Sequence, residues 1–144
     1  MSITSTTTGR ADRETSQAHS AGKDRTLWAA QVLLAAVFAF AAMPKLAGAH
    51  SAVAMFGQIG AGQWLRYLVG TAELAGAVGL LIPRLAGLAA AGLAADMAGA
   101  SVINIAVLHN AAVAVTIPLC AALALLARAR WEHGTKFLAA RTGR

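Results

Sequence analysis

The sequence predicts an all-α membrane protein: a transmembrane four-helix bundle with a short interfacial helix between spans one and two. Three observations lead there. Hydrophobic residues make up 58% of the chain and charged residues 12%, about half the charged share of a soluble domain. Four segments reach or approach the roughly 20 mainly apolar residues that a spanning helix needs; they are residues 27–46, 65–82, 85–107 and 111–128. Finally, the basic residues are confined almost wholly to the two tails and one loop. Four buried helices of a soluble protein would need further chain to cover them, and this sequence has none to spare.

Residues 1–25 are rich in Ser, Thr and charge. Such a composition buries too little apolar surface to offset ordering entropy, so a disordered tail is expected. Span one, residues 27–46, follows basic residues, as a secretory signal would. Three more apolar segments come after it, so it reads as a retained anchor. Between spans one and two, Val53, Phe56 and Ile59 recur at i, i+3 and i+6. That spacing predicts a short amphipathic helix at the interface. Gly57, Gly60 and Gly62 limit its length, and Trp64 and Tyr67 are the aromatic types of a membrane surface.

Span two, residues 65–82, is the shortest and carries Glu73. Span three, residues 85–107, carries Asp96 and Asn104. Span four, residues 111–128, carries Cys120, the single cysteine, which reads as a small packing residue. One cysteine excludes an intrachain disulfide, a CxxC pair and a cysteine metal cage. The pairs Ala72/Gly76, Ala75/Gly79 and Ala95/Gly99 are small residues four apart, which let helix backbones approach closely in lipid. The three parts of the chain are thus a tail at 1–25, a membrane domain at 26–129 and a basic tail at 130–144, where Trp131 and Phe137 suit a short helix resting on the leaflet.

Charge sets the expected orientation. With four spans, Arg10, Arg13, Lys23 and Arg25 share one side with Arg84 and with Arg128, Arg130, Lys136, Arg141 and Arg144. Only Lys45 and Arg66 fall on the other side. The positive-inside rule then places both termini in the cytoplasm. The same residues account for the net charge of +6, so the partner they imply is anionic membrane lipid and no nucleic acid is expected.

The acids inside the spans pose the functional question. A charge at mid-bilayer costs about 2.5–3.5 kcal/mol on insertion scales, so something must offset or neutralise it. At about 1.5 Å per residue, Glu73 lies some 12 Å below one surface and Asp96 about 16 Å from the other. Neighbouring antiparallel helices would bring them to similar depth, and the long stem of Lys45 could reach Glu73. Three readings stay open: a structural lock on packing, the wall of a small-molecule or quinone site, and a proton or ion path. No polar continuation beyond Asp96 serves the path on the inner half. Asn104 lies two turns outward from Asp96, with Ser101 between them and His109 at the end of the span. They extend a polar patch, or else Asn104 bonds a neighbouring helix and His109 is a loop residue. No metal site is expected, because three or four ligands are needed and His50 and His109 are the only histidines on the outer side. None of the four histidines is mid-span, which argues against haem. No nucleophile elbow, P-loop, HExxH or Rossmann glycine pattern is present.

Several strings resemble the DoxX-like membrane proteins of bacteria. The carriers are WxxQxLLAxxF at the start of span one, Lys45-Leu46 at its end, and FxxIGxxxWLRYxxGxxELAGAxGLLIPR across span two. The resemblance covers roughly residues 27–128. One departure is Ala42, where family members often carry glycine three before the lysine. The resemblance implies a four-helix membrane bundle with both termini inside, and places Lys45 and Glu73 at motif positions. It also implies redox surroundings, since the founding members are small subunits of a thiosulfate:quinone oxidoreductase and some relatives belong to oxidoreductase complexes for redox stress. The expected protein is a multi-pass protein of the bacterial cytoplasmic (inner) membrane. It has no catalytic activity alone and serves as a subunit or adaptor of a redox-linked membrane complex. The alternatives are a quinone-linked oxidoreductase subunit with an intramembrane headgroup site, and a small transporter or lipophile-binding protein. No cofactor is required, although a quinone would suit the site. The expected partner is a membrane or peripheral redox protein, with a homo-oligomer left open. The candidate polar site is Lys45, Glu73, Asp96, Asn104 and His109.

Overall fold

The computed structural model describes the backbone of residues 5–142 and the side chains of residues 24–131. Among the described residues there are five α-helices and no strands: α1 (Ser5–Ala47), α2 (His50–Ile59), α3 (Gln63–Leu81), α4 (Ala86–Ile103) and α5 (Val113–Thr142). A π-helical turn, Asn104–Leu108, prolongs α4. Among the described residues, three stretches are long and apolar enough to cross a membrane: Asp24–Ala47, Ala86–Leu108 and Val113–Trp131. Helix α3 has 19 residues but includes Arg66 and Glu73, which lower its apolar character below that of the other three.

Internal contacts divide the chain into residues 1–30 and 31–144. In the first unit the backbone is the early part of α1, where Thr26 Oγ1 donates to the Gly22 carbonyl at 3.1 Å. Regular helix therefore covers most of the segment expected as a disordered tail; residues 1–4 lie outside the described residues. The physical reason is that a helix already formed grows by one hydrogen bond per residue without a new nucleus. The same holds at the other end. Helix α5 continues through the expected basic tail to Thr142 in place of a separate short helix. Trp131 is exposed, and the side chains of Lys136, Phe137 and Arg141 lie outside the described residues.

In the second unit each helix end has a local cause. Pro44 removes one backbone donor in the last turn of α1, and the helix stops three residues later. Gly60 ends α2 in the left-handed conformation (φ 77°), its N–H bonded to the Gly57 carbonyl at 3.1 Å, a backbone form that glycine adopts without a Cβ clash. Helix α3 stops before Pro83, and Ile82 is extended (φ −97°, ψ 111°), as the residue before proline prefers. At the start of α5, Asn110 Oδ1 accepts the Ala112 N–H at 3.0 Å.

Helix α3 packs on α4, α4 on α5, and α2 on α3. Phe38 of α1, Leu80 of α3 and Leu123 of α5 are fully buried and mark the core. The α3–α4 contact is close. A Cβ on Gly76 would stand 2.6 Å from Leu93, and one on Gly79 2.9 Å from Ala89. Gly76 and Gly79 thus lie where α4 side chains press on α3 and leave no room for a Cβ. The third small pair is a correction: a Cβ on Gly99 would meet nothing within 4 Å, and Ala95 and Gly99 line a cavity. Helix α2 forms over His50–Ile59, within the stretch predicted for it. Ala52 and Phe56 are its buried residues, whereas Val53 is exposed. Positions 52 and 56 are one turn apart on the face turned to α3, and position 53 is rotated about 100° away.

Candidate functional site

The inner face of α3 is built from Arg66, Gly70, Glu73, Ala77 and Leu80, all buried. Their spacing of four, three, four and three residues is one helical stripe. Glu73 is therefore turned inward by the same periodicity that buries Leu80, and it is only 2% exposed. Lys45 meets it from the last turn of α1. Its Nζ donates to Glu73 Oε2 at 2.8 Å, to Oε1 at 3.0 Å and to the Ala41 carbonyl at 3.1 Å. An ammonium has three donors, so this one is fully used. The reach of Lys45 to Glu73 expected from the sequence is realised in the fold.

Asp96 sits beside the buried stripe Ala86–Ala90–Leu93–Met97 of α4 and is half-buried. Its Oδ2 is buried and has no hydrogen-bond partner among the described residues. Two turns on, Asn104 is buried where α4 passes into the π turn. Its carbonyl accepts from the N–H groups of His109 and Asn110, the latter at 3.2 Å. Lys45, Glu73, Asp96 and Asn104 line one cavity of about 500 Å³. The rest of its wall is mostly apolar and comes from all five helices, with Phe38, Phe56, Val69 and Leu119 among the contributors.

Two of the expected polar-patch residues lie elsewhere. His109 is exposed and absent from the cavity wall. Its backbone is left-handed (φ 48°), and its Nδ1 lies 3.2 Å from the Val107 carbonyl. The π turn adds a residue to the last turn of the helix, which carries position 109 past the face that holds Asp96 and Asn104. Ser101 ties α4 to α5: its Oγ donates to the Met97 carbonyl at 2.7 Å and lies 2.7 Å from the Thr116 hydroxyl. Cys120 packs from α5 against α4, 3.3 Å from the Ala94 carbonyl. Among the described residues, no three His, Cys, Asp or Glu side chains stand close enough to hold a metal ion.

Two residues that sequence reasoning left without a role are structural keys. Arg66 is 4% exposed. Its guanidinium donates to the Lys45 carbonyl, bonds Gln63 Oε1 at 2.8 Å through Nε, and lies 4.1 Å over the Tyr67 ring. It satisfies one of the carbonyls that the end of α1 leaves without a helical partner, and so fixes the turn that presents Lys45. The signal was the spacing Arg66–Gly70–Glu73, which places the guanidinium on the same stripe as the carboxylate. Gln31 does the same at the end of α3. Its Nε2 donates to the Leu80 carbonyl at 2.7 Å, while Arg130 donates to its Oε1.

The motifs, the pair they supply and the helical order converge on one comparison. The sequence model of the DoxX-like family matches residues 29–127. This chain belongs to the DoxX-like family. No curated protein and no solved structure matches it. The matched region of this DoxX-like protein contains every residue of the cavity wall. With its three apolar helices, it is a small membrane protein. Within it, the Lys45–Glu73 pair is closed upon itself, and Asp96 is the ionisable group of the cavity with bonding capacity to spare.

Proposed function

We propose that this DoxX-like protein spans the bacterial inner membrane four times, with both termini in the cytoplasm, and is a non-catalytic subunit of a redox-linked membrane complex. In this reading α3 is the remaining span, its length of 19 residues sufficient for a crossing. Burial of Arg66 and Glu73 against α1 keeps their charges away from lipid. Helix α2 lies at the outer interface. The basic residues of the two ends and of the loop at Arg84 face the anionic cytoplasmic leaflet.

The cavity then serves as a headgroup site for a lipophilic cofactor of the quinone class. One observation carries this reading: a mostly apolar cavity with a few convergent polar groups, three of them ionisable, among helices of membrane length. Such groups at membrane depth are costly and mark function. The size, about 500 Å³, suits a small-molecule site.

The test is a titration of a short-chain quinone against purified protein in nanodiscs, wild type beside Glu73→Gln. Saturable binding by wild type, lost in a folded Glu73→Gln, supports the site. Absence of binding in both, with Glu73→Gln only melting earlier, makes the glutamate structural and removes the quinone from the reading.

A further inference from the structure

The cavity wall holds one basic and two acidic side chains. Its ionisable side chains are Lys45, Glu73 and Asp96. Lys45 gives both nearer donors to Glu73 and its third to the Ala41 carbonyl. Arg66, the other buried cation nearby, is engaged by the Lys45 carbonyl, Gln63 and the Tyr67 ring, and it is not in the wall. Asn104, Asn110 and Thr116, which also line the cavity, carry no charge. Among the described residues Asp96 thus forms no ion pair of its own, and its Oδ2 is a buried acceptor without a donor.

We infer that the cavity takes a lipophilic amine, its ammonium seated on the Asp96 carboxylate and its apolar part against the wall formed by Phe56, Leu65 and Val69. An ammonium supplies both missing elements, a compensating charge and hydrogen-bond donors. A headgroup made only of carbonyls supplies neither. Charges are tolerated at membrane depth when they are paired, so the amine completes what the protein leaves open. Asp96 is also reached from a second side. A smaller cavity of about 290 Å³ between α3 and α4, bordered by Ala75, Gly79 and Leu88, also has Asp96 in its wall. The inference rests on the reading of the main cavity as a ligand site, and it does not require a quinone.

The experiment uses the full chain in nanodiscs of phosphatidylcholine alone, which removes attraction to anionic lipid. The probes are pyrenebutylamine, pyrenebutanol and a short-chain quinone, each scored as saturable binding above empty nanodiscs. Wild type is expected to bind the amine at least about tenfold more tightly than the alcohol, the span of a charged hydrogen bond. Asp96→Asn is expected to abolish that preference and leave alcohol binding within about twofold, since the apolar contacts remain. If Asp96→Asn does not fold, Asp96→Ser carries the same expectation. Equal affinity for amine and alcohol in wild type overturns the inference, as does a preference that survives loss of the carboxylate. Quinone binding without an amine preference defeats the amine alone. Amine binding without quinone defeats the quinone reading alone. No binding by any probe defeats the cavity as a ligand site.

Discussion

Replacing Lys45 by methionine isolates the ion pair from the rest of the fold. Methionine is unbranched and a good helix former, so the stem of the side chain is largely kept. What is lost is an ammonium with oxygens of Glu73 at 2.8 and 3.0 Å. Glu73 has 2% of its surface exposed, so solvent compensates poorly for the lost cation. It must then remain an uncompensated buried charge or take up a proton. Removing one partner of such a pair costs about 3–5 kcal/mol, whereas replacing both by apolar or neutral groups of similar shape is often close to neutral. Lys45→Met is therefore expected to lose about 3–5 kcal/mol, and Lys45→Met with Glu73→Gln clearly less than the two single variants added together. The assay is reversible unfolding by dodecyl sulfate in mixed micelles, run as a double-mutant cycle. A Lys45→Met cost below about 1 kcal/mol would place the pair among weak surface bridges and refute the argument. Strict additivity in the double variant would do the same.

Two further outcomes follow from the packing. Gly76→Ala puts a methyl 2.6 Å from buried Leu93 and is expected to lose about 1–3 kcal/mol from overpacking. Gly99→Ala meets nothing within 4 Å and is expected to be neutral or to gain up to about 1 kcal/mol from helix propensity; equal effects in the unfolding assay would contradict the α3–α4 contact. Gln31→Leu strips the donor from the Leu80 carbonyl and the acceptor from Arg130. Its expected loss is about 1–3 kcal/mol for the unsatisfied groups, and an unchanged thermal midpoint would show that the contact is not needed.

Much of the architecture is legible in the residues. The apolar runs predict helices over 65–82 and 85–107, and these appear at Gln63–Leu81 and Ala86–Leu108. The meeting of Lys45 with Glu73 follows from depth and reach alone, and four of the five candidate polar residues line one cavity. The misses concern direction. Val53, Phe56 and Ile59 satisfy an apolar spacing, but that spacing does not say which face meets the protein: Ala52 and Phe56 are buried and Val53 is exposed. His109 is near Asn104 in sequence, but the π turn and a left-handed residue swing it off that face. In the sequence Arg66 stands out only as one of two basic residues on the outer side. It is buried because the end of α1 leaves carbonyls that need a donor.

The sequence by itself determined which apolar segments are helical, how greasy they are, where proline and glycine stop them, and that two acids stand among apolar residues. These are local properties of composition and period, and each is set by neighbours a few residues away. Tertiary structure alone decided which carboxylate is paired and which is open. Lys45 and Glu73 are 28 residues apart, and Gln31 and Arg130 are 99 apart. Helical periodicity defines a stripe but not its partner, so only the packing of α1, α3 and α4 could close one acid and leave Asp96 facing the cavity.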